Sequence, residues 1–260
     1  MAEPLRIEDT VEVLQRLGEL ADHIVLIGGQ ALNFWAEQYS GRAEALADQG
    51  PFASKDVDFC GTQDDVRRCA AAVGGKPTYQ PTDALSLCVG VVHYIDVHEE
   101  PRQLDFLSKP FGLETEPVSD MSFPVDVTGT GGATARIRVM HPLHCWMSRV
   151  ANVGGLEKYR TDHGFRQLRA SILCMRAFLG GLLDEGEENV RPVLKLNESI
   201  FRFSVASEYA EFVRREYGIE PFEAALISDA RLPEKFRNVR VPQMAAKIAA
   251  ATEIAPAGNS

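Results

Sequence analysis

Apolar residues recur at helical spacing from Ile7 to Leu20, where Val11, Leu14, Leu17 and Leu20 share one face and Asp9 and Thr10 offer capping oxygens near the start. This predicts a helix. The run His23 to Ile27 is β-branched and apolar, as a buried strand requires, and Gly28-Gly29 ends it and leads into a second helix over about Gln30 to Gln38. Residues 41–54 are rich in Ala and Gly without strand alternation and read as an insertion. Lys55 to Cys60 reads as a second strand. Thr62, with Asp64 and Asp65, then starts a helix that turns Val66, Ala70 and Val73 inward. The chain from Thr78 to Ser108 reads as mostly extended, with apolar runs at Leu85–Tyr94 and Gln103–Leu107. Residues 123–128 and 134–140 pair as a hairpin around Gly129-Thr130-Gly131-Gly132, which lacks the following helix and downstream acid of a dinucleotide loop.

The pattern changes at His141. Leu143, Cys145 to Met147 and Val150 are followed by Phe165, Leu168, Ile172, Met175 and Leu179, all at helical period. Further helical segments follow near 190–216, 221–228 and 239–252, separated by Gly218, Pro221, Pro233 and Pro242, and Ala255 to Ser260 reads as a frayed tail. The expected architecture is α+β: a mixed sheet with helices on one side in residues 1–140, followed by a helical domain in residues 141–260.

Composition narrows this picture only a little. At 260 residues, 45% apolar and 25% charged, the chain lies between one large domain and two small ones. Its five cysteines are odd in number and never in a Cys-x-x-Cys pair, so they read as reduced core thiols. The pairs His93/His98 and His141/His144 lack further ligands at zinc-like spacing. The N-terminus has no apolar signal core and no stretch has the length of a membrane span, so a cytoplasmic protein without membrane partners is expected. A formal charge of −10 argues against non-specific adhesion to nucleic acid but leaves room for a small basic site. Arg231, Lys235, Arg237, Arg240 and Lys247 read first as a solvated face and only second as an RNA contact.

Candidate chemistry gathers at two places. Asp56-Val57-Asp58-Phe59 sets two carboxylates one residue apart, on one side of a strand, where Mg²⁺ can bind through carboxylates and substrate phosphates. Acid-x-acid pairs also arise by chance, as at Glu114/Glu116 and Glu185/Glu187. The apolar setting separates Asp56/Asp58, because unpaired charge there is costly without a cation. Gly28-Gly29 at a helix N-terminus lets a backbone approach an anion closely and turns free amides toward it.

Gly-Gly heading a helix, an Asp-x-Asp strand after a serine, and a later strand acid together resemble the nucleotidyltransferase superfamily that includes DNA polymerase beta. The match rests on Gly28, Gly29, Asp56 and Asp58, with Asp105 in Leu104-Asp105-Phe106 as third acid and Asp96 as its competitor. The run His141 to Ala151, with Lys158, Arg160 and Asp162, resembles the abortive-infection group within it, the toxins of type IV toxin–antitoxin systems. Arg149 stands where that group carries a Lys, and a planar guanidinium need not hold phosphate as an ammonium does. The spacing from Gly29 to Asp56 also exceeds the family's, so residues 41–54 must loop out.

The resemblance covers about residues 20–180 and implies attack of an acceptor hydroxyl on the α-phosphorus of an NTP, releasing pyrophosphate. Asp56, Asp58 and Asp105 would hold two Mg²⁺ ions and act as the catalytic acids. Gly28, Gly29, Ser54, Arg149, Lys158 and Asp162 would bind the nucleotide. Implied partners are an RNA such as tRNA, a protein or a small-molecule acceptor, and a cognate antitoxin. The alternative is a fold relative without chemistry that acts as a nucleotide-binding or regulatory partner, yet a binding module has no need to keep like charges together.

Overall fold

The computed structural model describes residues 5–50, 54, 56–81, 86–113, 118–129 and 131–254. Lys55, Leu85, Glu114, Glu116, Thr130 and the tail Ala255 to Ser260 lie outside the described residues. The chain forms two compact units, Met1–Gln38 with Gly50–Ser148, and Tyr39–Gln49 with Arg149–Ser260.

In the first unit seven strands form one mixed sheet. They are β1 (Val25–Ile27), β2 (Val57–Cys60), β3 (Lys76–Tyr79), β4 (Cys88–Ile95), β5 (Pro101–Leu107), β6 (Ser122–Thr128) and β7 (Thr134–Met140). Their order is β3-β4-β5-β2-β1-β7-β6. The interior strand β1 runs antiparallel to the central strand β2 and parallel to β7, and β2 runs parallel to β5. The expected hairpin is β6–β7, paired from Ser122↔Met140 to Thr128↔Thr134.

Strand alternation sorts the side chains onto two faces. Val57, Phe59, Leu104 and Phe106 are buried on one of them, while Asp58 and Asp105 are half-buried on the other. The registers Leu26↔Phe59, Phe59↔Phe106 and Val92↔Leu104 continue the apolar face across four strands. The Phe59 and Phe106 rings lie 5.5 Å apart, within the range favoured by aromatic pairs. Helix α1 (Val11–Leu17) packs on β7, and α3 (Gln63–Val73) packs on β3, β4 and α1. Val66, Cys69, Ala70 and Val73 are the buried residues of α3, and its start is the expected one: Thr62 Oγ1 accepts the Asp65 amide while Asp65 accepts the Thr62 amide.

Two local expectations are corrected. The single helix from Ile7 to Leu20 is a 3-10 turn at Ile7–Thr10, then α1, then a second 3-10 turn at Gly18–Asp22. Gly18, at φ 57°, ends α1 in a conformation that other residues avoid. Of the two expected capping residues, Asp9 accepts the Arg6 amide at 2.9 Å, while the Thr10 hydroxyl donates to the Ile7 carbonyl at 2.6 Å. The second strand begins at Val57, which pairs with Leu104 of β5, while its ladder to β1 starts one residue later at Ile27↔Asp58. Asp56 sits in a bend just before it.

The second unit is helical: α5 (Asp162–Glu185), α6 (Val190–Ala206), α7 (Glu208–Tyr217) and α8 (Val241–Ile254). The boundary between the units falls within α4 (Pro142–Gly155). Within the expected insertion, Glu44–Gln49 forms a 3-10 turn that buries Leu46 inside the second unit, where Arg42 pairs with Asp184. Only Pro221–Ala224 of the expected segment 221–228 is helical, as a 3-10 turn. Pro242 does not separate helices, because it lies in the first turn of α8, where its missing N–H is no loss. Among the described residues no helix is long and apolar enough to cross a membrane.

Candidate functional site

The end of β1 shapes the candidate site. Gly28 follows Ile27 directly at φ 66° and opens the helix α2 (Gly28–Tyr39). A Cβ at Gly28 would lie 2.0 Å from Asp58 Oδ2 and 2.8 Å from Asp58 Cγ, so the Asp58 carboxylate rests directly on the glycine backbone. Glycine is required there both for its dihedral and for its missing side chain. A carboxylate at the first turn of a helix also meets the positive end of the helix dipole.

Asp105 is the in-register neighbour of Asp58 on the parallel strand β5, and both point to the face opposite the aromatic core. Adjacent strands lie about 4.8 Å apart, which brings the two carboxylates side by side. Burial first, and the negative charge of Asp56 second, push the Asp105 carboxyl above its ordinary value; a Gln103 hydrogen bond and the nearby His93 pull it back. Asp56, Asp58 and Asp105 thus occupy one corner of the sheet, although Asp56 arrives from the bend rather than from the strand. Asp96, the competing third acid, lies after β4 and pairs with the half-buried Arg102 at 2.9 Å while accepting the amides of His98 and Glu100.

Ser54 reaches the same neighbourhood through backbone contacts. It exchanges both of its backbone hydrogen bonds with Leu5, at 2.8 and 2.9 Å, and the Leu5 carbonyl accepts the side-chain amide of the buried Gln30 in the first turn of α2. The remaining expected nucleotide ligands belong to the second unit. Arg149 is 6% exposed; its Nη1 donates to Gln167 Oε1 at 2.8 Å, and its buried Nε has no hydrogen-bond partner among the described residues. Lys158 is exposed over the Tyr159 ring, and Asp162 is exposed at the start of α5, where Thr161 caps the Gly164 amide. Arg160 closes the last turn of α4 by donating to the Val153 and Gly154 carbonyls and lies over the Phe212 ring.

Sequence reasoning passed over Gln103, whose signal was its place two residues before Asp105 on one strand face. It also passed over His163 and Arg166, which stand near Arg149; partial desolvation, then Arg166 and Arg149, hold the His163 imidazole below its ordinary value. Of the basic C-terminal residues, Arg231 pairs with Asp229 and Asp184, Arg240 pairs with Glu198, and Arg237 donates to the Leu232 carbonyl. Among the described residues no group of three or more His, Cys, Asp or Glu side chains stands close enough to hold a metal ion.

No family model and no curated protein matches this chain. A similar solved structure is that of JHP933 from Helicobacter pylori, 14% identical, covering 96% of this chain and 95% of that one at a TM-score of 0.35. A likeness at that level assigns neither fold nor function.

Two outcomes follow from this geometry. Gly28→Ala forces an unfavourable φ and displaces the Asp58 carboxylate, so urea denaturation is expected to show a loss of at least about 1–3 kcal/mol; an unchanged midpoint contradicts the packing described. Asp105 binds its proton more tightly in the folded chain than in the unfolded one, so its ionisation weakens the fold as pH rises through that interval. Metal-free Asp105→Asn is therefore expected to melt above the native chain at neutral pH, the gap closing below about pH 4. A lower melting temperature at pH 7 contradicts the like-charge corner.

Proposed function

We propose that this chain is a nucleotidyltransferase whose first unit has the core fold of that superfamily. It transfers a nucleoside monophosphate from an NTP to a hydroxyl acceptor and releases pyrophosphate. The observation that carries this reading is the Asp58 carboxylate resting on Gly28 while standing in register with Asp105. The resemblance of Gly28, Gly29, Asp56, Asp58 and Asp105 to the family's motifs supports it.

The residues present fit Mg²⁺ as a two-carboxylate site. Mg²⁺ is commonly held by one or two carboxylates with the remaining oxygens supplied by phosphate and water, so a three-residue cage is not needed. A triphosphate at the head of α2 would meet the Asp58 carboxylate, and two anions at one corner repel unless a cation stands between them. Asp58 and Asp105 would hold the ion, with Asp56 adding charge beside them. When bound, Mg²⁺ stabilises the attacking and leaving oxygens of the displacement.

The rest of the chemistry belongs to the chain. The α2 amides at Gly28 and Gly29 receive phosphate oxygens, and Ser54 enters through the resemblance. By the resemblance, Asp105 stands nearest the acceptor hydroxyl and is the candidate to take its proton. Arg149, Lys158 and Asp162 enter the proposal through the resemblance alone, as do an RNA acceptor and a toxin role restrained by an antitoxin.

Incubation with each α-labelled NTP, Mg²⁺ and total RNA tests the proposal, with label on the protein itself scored as well. Mg²⁺-dependent transfer that falls at least a hundredfold in Asp58→Asn is the expected result. Absence of transfer together with absence of Mg²⁺-dependent NTP binding contradicts it.

A further inference from the structure

The Asp105 carboxylate is held by a neutral side chain of its own strand. The Gln103 side-chain nitrogen donates to both Asp105 oxygens, at 3.2 Å each. Residues 103 and 105 are two apart on β5, so both project from the same face as Asp58. Gln103 is itself half-buried and pairs in register with His93 on β4, which pairs in turn with Lys76 on β3. The amide thus stands two residues along β5 from Asp105, beside His93, whereas Gly28 lies beyond Asp58 on the β1 side.

A carboxylate on a strand rotates freely about its last bond unless something fixes it. A single amide nitrogen shared between the two oxygens fixes that rotation symmetrically. It leaves the outward lone pairs of both oxygens unused, since each oxygen can accept more than one bond. Gln carries no charge, so it orients the carboxylate without neutralising it as an Arg or Lys partner would. Asp96 makes the contrast: Arg102 neutralises it and three donors surround it, an arrangement that consumes the carboxylate for hairpin structure.

We propose that Gln103 is a positioning residue that orients the Asp105 carboxylate toward the divalent cation shared with Asp58. The inference rests on the reading of Asp58 and Asp105 as the cation-holding pair, and it assigns a function to a residue outside the family motifs quoted above. Residues one step removed from a metal that orient its ligands characteristically change affinity by about 10–100-fold when removed.

Mn²⁺ titration of the purified full chain, followed by electron paramagnetic resonance of the free ion, measures this without any need for the acceptor. Gln103→Leu keeps the volume and removes the donor. Gln103→Thr, a strand-favouring residue, is too short to reach the carboxylate and serves if the leucine variant does not fold. Thermal melting in the absence of metal separates the role from simple support of the fold. Mn²⁺ binding weakened about tenfold or more, at a melting temperature near that of the native chain, is the expected result. Native-strength binding by a folded variant overturns the role of Gln103 alone. Failure of the native chain to bind Mn²⁺ overturns both this inference and the cation site on which it rests.

Discussion

Gathering carboxylates at one corner of a sheet is unfavourable twice over, through lost hydration and through mutual repulsion, and the first unit is arranged around that conflict. Asp58 lies on the Gly28 backbone at the positive end of α2, and Asp105 stands beside it with its carboxyl raised by burial and by Asp56. Strand alternation puts Phe59 and Phe106 one residue further along on the opposite face, where both are fully buried. Full burial of an aromatic side chain contributes roughly 1.5–3 kcal/mol, so the two rings can offset the charge strain their neighbours create. The same two strands therefore carry the stabilising face and the strained one.

This arrangement links fold to chemistry through β1. Because β1 is only three residues long, the chain turns into α2 beside the second strand, and a glycine must occupy the turn. A longer β1 would continue the ladder past Asp58 and remove the close approach of the carboxylate to the helix head. Carboxylates gathered at one corner, with the Asp105 carboxyl raised by burial and by Asp56, are the arrangement of a site kept for a ligand rather than for stability.

Much of this was legible in the residues. Thr62 and Asp65 announced α3, the alternation in β6 and β7 announced their hairpin, and Leu104-Asp105-Phe106 marked a strand with one face apolar. Elsewhere the deciding interaction was distant in sequence. The need for glycine at position 28 comes from Asp58, thirty positions later, and the segment 41–54 depends on Asp184 for its Arg42 partner. Gly18 broke a continuous helical pattern because periodicity is blind to backbone sign. The basic residues near the C-terminus read first as a solvated face, and only the structure shows that Arg231 and Arg240 are paired there with Asp184, Asp229 and Glu198. Gln103 was overlooked because an amide carries no charge pattern; only its hydrogen bonds to Asp105 reveal it.

The central claim, that Asp58 and Asp105 share a cation opposite a phosphate on the glycine turn, is tested most directly by anomalous diffraction from crystals grown with Mn²⁺ and a non-hydrolysable NTP. The account expects an anomalous peak touching both carboxylates, with triphosphate oxygens on the amides at Gly28 and Gly29. A triphosphate seated elsewhere, with Asp58 still resting on Gly28 and no peak beside Asp105, contradicts it.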